Sequence, residues 1–282
     1  MMKFFLALII SIGLTCHLFA QVLFTQQDVQ VFNAMVREAK KAGLSDSAIN
    51  QIVFYIGKQF INTPYIGGIL DEPETENLVV DLSHMDCVTY LESVVALSMV
   101  IKKDKTQFED FCRELEFIRY RNGVMNGYAS RLHYFSEWIQ NNAQKGVLEH
   151  ITENIGGKPF TGKTNIMTSN RAKYPHLKED SALIAIKEAE EQLSAMQHYY
   201  VPKEELLSCS EKIRNGDLIA LVTSIDGLDV EHVGIAVYLQ SELHLMHASS
   251  LSKKVEISKG SLFEMLRNKS SCNGIMVARL RE

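Results

Sequence analysis

Residues 86–100 read DCVTYLESVVALSMV. Asp86 is a residue type that caps helices, and the apolar spacing behind it predicts a buried helix starting at Cys87. A thiol there meets the unpaired N–H groups and partial positive charge of the helix N-terminus, which lower a cysteine pKa and make it a usable nucleophile. Downstream, EHVGIAVY (231–238) and LHLMHASS (243–250) each put at least one histidine in a strand-like run. His232 follows Cys87 by 145 residues, a separation typical of Cys/His hydrolases. The combination points to amide-bond chemistry.

Upstream of the thiol, Thr25 is positioned to cap a helix through QQDVQVFNAMVREAKKAG (26–43), and Ser45 a second through NQIVFYIGKQF (50–60). Pro64, Gly67, Gly68 and Pro73 then break helix, leaving a loop that should form one wall of the site. Beyond it, Thr106 is the expected cap for QFEDFCRELEFIRY (107–120), and a loop leads into a short helix near Trp138. Residues 150–205 mix Gly, Pro and a charged helical run without a catalytic pattern, and read as an insertion or cover. From Asn215 the character changes: LIALVTS, HVGIAVYLQ, LHLMHAS and GIMVARL are short apolar or alternating runs between turns, predicting a small antiparallel sheet. Helices first and strands afterwards argue α+β, a helical N-terminal half packed on a C-terminal sheet.

The start, MMKFFLALIISIGLTCHLFAQ, fits a signal peptide over residues 1–20 better than a membrane span. A lipoprotein reading with Cys16 acylated is weaker, because Leu14 and Thr15 are not small. The expectation is therefore an exported, periplasmic chain with residues 21–282 as a single domain. Its 46% hydrophobic content can fill a core, while a formal charge of −5 offers no surplus for a nucleic-acid backbone. Cys87, Cys112, Cys209 and Cys272 form no CxxC pair; Cys112 and Cys272 read as buried apolar thiols. No metal or organic cofactor is required, and oligomeric state is not legible.

A cysteine hydrolase needs a thiol, a histidine to move its proton and a third group to orient the imidazole. Cys87, His232 and His247 supply these if a turn near Gln240-Ser241 folds the two histidine strands into a hairpin. The Cys87 backbone N–H is then a ready oxyanion donor. His244 faces the other side of an ideal strand and is the rival orienter if the register slips; it could also share a zinc ion with His247, though the spacing is poor.

These residues also carry a resemblance. Tyr65 with its glycines, Asp86-Cys87, HVGIAVY and His247 resemble the NlpC/P60 superfamily of papain-like cell-wall hydrolases. Within it, TPYIGG (63–68), DCVTYLES (86–93), SRLHYFSEW (130–138) and GLDVEHVGIAVY (227–238) resemble the DUF1460 group of N-acetylmuramoyl-L-alanine amidase-like proteins. One departure is Val88-Thr89, where many endopeptidases of the superfamily have Ser-Gly. The resemblance implies a papain-like fold and hydrolysis of the amide between N-acetylmuramic acid and L-alanine, with soluble muropeptides as substrates. An endopeptidase cutting within the stem peptide and a non-catalytic muropeptide-binding protein are the alternatives.

Several residues have a structural and a functional reading. Asp86 caps the helix or shapes the site, and the cap is favoured. Tyr65 donates a hydrogen bond to substrate or oxyanion, or packs. Arg131 binds a substrate carboxylate or makes an internal ion pair. Asp226 and Asp229 recognise a peptide amine or serve a turn. Trp138, Tyr134 and Phe135 stack on a sugar or, as their helical spacing favours, fill the core. His84 contacts substrate or sits in a solvated loop.

Overall fold

The computed structural model describes residues 22–282; the expected signal peptide and Cys16 lie outside them. A short parallel pair, β1 (Val22–Leu23) and β2 (Leu78–Val79), flanks the first helices, α1 (Gln26–Lys41) and α2 (Ile49–Gln59). Thr25 closes a capping box with Asp28, as its position predicted. Ser45 does not cap α2: it lies in a 3-10 turn, and the first helical N–H, of Ile49, donates instead to the Glu282 carboxylate at 3.1 Å. A partner 233 residues away in sequence supplies what local chemistry was expected to supply.

The next helix, α3 (Cys87–Lys102), is buried along nearly its whole length and packs against α2, α4 (Phe108–Arg119) and the sheet. It is apolar all round because it has protein on every side. Gly57 permits this approach: a Cβ there would meet Met246 Cε at 2.4 Å and the Tyr90 hydroxyl at 2.9 Å. Helix α4 starts one residue later than the Thr106 expectation, with Gln107 at the cap position and no side-chain cap. Arg119 of α4 and Glu92 of α3 form a fully buried ion pair at 2.7 Å, and Glu92 also accepts from Trp138 Nε1 at 3.1 Å. Trp138 lies in α5 (Phe135–Gln144), wholly buried and stacked on Phe135 at 5.0 Å, so the core reading holds for it and the sugar-stacking reading does not.

The sheet is larger than the four C-terminal runs suggested. Strands β3 (Leu148–His150), β4 (Lys158–Phe160) and β5 (His198–Pro202) come from the middle of the chain, with α6 (Ile166–Ser169) and α7 (Asp180–Ala195) between β4 and β5. After the short α8 (Leu206–Cys209) come β6 (Leu218–Thr223), β7 (Val230–Leu239), β8 (Glu242–Ser249), β9 (Lys254–Ile257), α9 (Leu262–Arg267) and β10 (Cys272–Leu280). The order is β4-β5-β10-β6-β7-β8-β9, with β3 also on β10, and every pairing in this sheet is antiparallel. Antiparallel pairing with helices gathered in the N-terminal half is an α+β architecture. One core fills the space between the helices and one sheet face; a second lies beneath the other face with α8 and α9. Among the described residues, no helix is long and apolar enough to cross a membrane.

Candidate active site

Helix α3 begins on a reciprocal cap. The Asp86 carboxylate accepts the Thr89 N–H at 2.8 Å, and the Thr89 hydroxyl accepts the Asp86 N–H at 2.9 Å. This leaves Cys87 as the first helical residue, with part of its surface open to solvent. Its sulfur faces backbone N–H groups of Val233, of Cys87 itself and of Val88. Those donors favour the thiolate, as the helix N-terminus was expected to do. Burial and the adjacent Asp86 carboxylate outweigh them and push the thiol up to about 12. Desolvation thus opposes the helix-terminal donors on which the expectation of a stabilised thiolate rests.

Val233 is the residue after His232, so the sulfur lies against the strand that carries the histidine. The β7–β8 hairpin turns at Gln240 and Ser241, both with positive φ (50° and 71°), and pairs Ile235 with Met246. A register irregularity between β6 and β7 falls between Leu221, opposite His232, and Val222, opposite Val230; such a bulge re-aims side chains locally. His232 Nε2 and His247 Nδ1 meet at 2.6 Å with their rings perpendicular, at 89°. His244 bonds the Ser258 carbonyl at 3.0 Å instead, so the register selects His247 as the partner. Among the described residues, Sγ of Cys87 makes no hydrogen bond to either imidazole.

An N···N bond needs one proton between the two rings. Burial holds His232 down to about 3 and lowers His247 as well, so both are neutral at physiological pH. With Nε2–H of His232 donating to His247, Nδ1 of His232 is left unprotonated and able to accept from a thiol. Tyr65 completes the cluster. Its segment runs beside Met85, the N–H of Met85 donating to the Pro64 carbonyl at 3.0 Å and that of Ile66 to the Met85 carbonyl at 3.2 Å. Burial, then the neighbouring Cys87 and Asp86 side chains, raise the Tyr65 phenol, so it stays protonated beside Cys87.

Residues 55–275 match the model of a family described as N-acetylmuramoyl-L-alanine amidase-like. The chain belongs to this family. An N-acetylmuramoyl-L-alanine amidase from Bacteroides uniformis is similar in structure, with a TM-score of 0.79, 33% identity and coverage of 83% of this chain and 99% of that one. A Bacteroides fragilis protein provisionally named a xylanase is similar too (TM-score 0.76, 37% identity, 80% and 99% coverage). A Legionella pneumophila protein of the DUF1460 family, at 22% identity and a TM-score of 0.68 over 91% and 96% of the two chains, shares the fold. No curated protein matches the chain.

The other site residues expected of this amidase-like chain have structural partners. Arg131 is buried; its guanidinium bonds Asp71, donates to the Leu70 carbonyl at 3.0 Å and lies 3.6 Å from Glu76. The ion-pair reading replaces the substrate-carboxylate reading. Asp229 is also buried, accepting the Ser136 N–H at 2.7 Å and the Val230 N–H at 2.7 Å. It caps α5 from a distant loop and has no exposed oxygen to offer an amine, a second correction. His84 bonds Asp81 at 3.2 Å on a half-exposed loop.

Two groups that the fold places beside Cys87 and Tyr65 left no motif in the sequence. The Val233 amide is a backbone group, invisible in residue identity. Lys253, in the β8–β9 turn, places its ammonium 5.6 Å over the Tyr65 ring; its only sequence signal was the turn-like run SSLSKK.

Proposed function

We propose that this protein is an exported cysteine amidase that hydrolyses the N-acetylmuramoyl-L-alanine amide of peptidoglycan fragments, by a papain-like mechanism of the NlpC/P60 kind. The observation that carries the reading is the juxtaposition of Cys87, at the head of a buried helix, with the strand bearing the hydrogen-bonded His232–His247 pair. Family membership supports the substrate class. The xylanase name of one neighbour would call for two facing carboxyls to protonate and attack a glycosidic bond. The carboxyl next to Cys87, that of Asp86, is occupied as a helix cap.

In this mechanism Cys87 Sγ attacks the lactyl carbonyl carbon as its proton passes to His232 Nδ1. Transfer during attack suits a neutral thiol and a neutral imidazole. The oxyanion is met by the helix-terminal N–H of Cys87, with the Tyr65 hydroxyl as a second donor; such donors contribute roughly 3–4 kcal/mol each to a barrier. Collapse breaks the C–N bond, and the imidazolium gives its proton to the departing alanine nitrogen. Water, deprotonated by His232, then cleaves the thioester. Throughout, His247 Nδ1 accepts from His232 Nε2–H and holds the productive tautomer.

The test is mass spectrometry of purified muropeptides, anhydro forms included, incubated with the mature protein and with Cys87→Ala and His247→Leu. Free stem peptide and intact sugar should appear with the wild type. Cys87→Ala should abolish release, and His247→Leu should slow it by about 10²–10⁴-fold. Cleavage within the stem would replace the amidase with an endopeptidase; no turnover across the set would replace it with a binding role.

A further inference from the structure

A muropeptide stem is anionic, and Arg131, the cation expected to meet it, is engaged with Asp71 and Glu76. Of the lysines around the site, Lys254 donates to Asn62 at 2.8 Å and Lys269 pairs with Glu231 at 3.4 Å. Lys253 is exposed and has no such partner among the described residues. It is nevertheless firmly placed. Its carbonyl accepts the Tyr65 N–H at 2.9 Å, its ammonium lies 5.6 Å over the Tyr65 ring, and the Tyr65 segment pairs with Met85, two residues before the nucleophile.

The turn itself is not built for stability. Lys253 has φ 60°, in the left-handed region where a Cβ is strained, and Leu251 at the same turn is 94% exposed. Backbone strain of this kind persists where surrounding structure enforces it and clusters at ligand sites. Here it holds an unpaired ammonium over the aromatic ring beside Cys87.

We propose that Lys253, seated over Tyr65, is the anion-binding residue of this site, and that it selects amides whose leaving peptide carries a free carboxylate. This deepens the amidase reading and rests on it.

Steady-state kinetics on N-acetylmuramoyl-L-alanyl-D-glutamate and its uncharged bis-amide test the proposal. The wild type should prefer the charged probe, with a KM that rises with salt. Lys253→Gln should raise that KM about tenfold, as loss of one charge-assisted contact would, bring the preference close to one and leave kcat little changed; Lys253→Arg should retain the preference. Lys253→Gly, which suits the left-handed backbone, should lose the preference while melting no lower than wild type. A preference that survives Lys253→Gln, or an equal loss on both probes, would overturn the assignment and leave the amidase intact. Failure of the wild type to cleave either probe would overturn both.

Discussion

At Cys87 two fields oppose each other. The backbone N–H groups of Cys87, Val88 and Val233 favour a thiolate, while burial and the Asp86 carboxylate disfavour it, and the second pair prevails, leaving the thiol near 12. Reactivity toward a small electrophile reports this balance directly. Iodoacetamide should alkylate Cys87 no faster than a free cysteine at pH 7, with a rate still climbing above pH 9; peptide mass mapping identifies the site, since Cys112, Cys209 and Cys272 are buried. A rate plateau already reached at pH 6 would mean a resting thiolate and a different first step. The sequence located this residue because capping chemistry is local, Asp86 and Thr89 being three residues apart. The desolvation that opposes those donors depends on what the rest of the chain packs around the sulfur, which local residue order does not carry.

Elements show the same division. The β7–β8 hairpin was legible from alternating apolar runs and a two-residue turn, and the pairing of Ile235 with Met246 puts His232 within reach of His247. Helix starts were less legible wherever the cap comes from elsewhere: α2 is closed by Glu282 and α5 by Asp229. Asp229 reads in sequence as a residue that binds a peptide amine or serves a turn, and its burial against α5 gives it a backbone partner instead. Asp229→Ala should therefore lower stability by about 2 kcal/mol, through the lost cap and the orphaned Ser136 N–H, and leave KM for muropeptides unchanged. Thermal melting and kinetics separate these effects; an unchanged melt with a raised KM would restore the binding role.

Across the whole molecule, burial keeps five histidines neutral. His133 is held well below its ordinary value, His150 at about 4 and His232 at about 3, and His198 and His247 are lowered too, in each case first by desolvation. Between pH 6.5 and about 4 the unfolded chain takes up protons that the folded chain does not, so stability falls as pH drops through that window. Glu76, Glu137 and Asp229, raised by burial, act in the opposite sense but are fewer. Urea midpoints at pH 7 and pH 5 should differ by a few kcal/mol in unfolding free energy in favour of pH 7; equal midpoints would mean these histidines are already solvated in the native state. The amino-acid sequence alone determined the α+β class, the family likeness and the places of Cys87 at a helix start and of His232 and His247 on one hairpin, because caps, strand alternation and hairpin turns are written in neighbouring residues. Tertiary structure alone decided the desolvation around the thiol, the internal pairing of Arg131 and Asp229, the added strands from the middle of the chain and the place of Lys253 over Tyr65. Those properties follow from burial and from contacts between residues far apart in the chain, and local residue order carries neither.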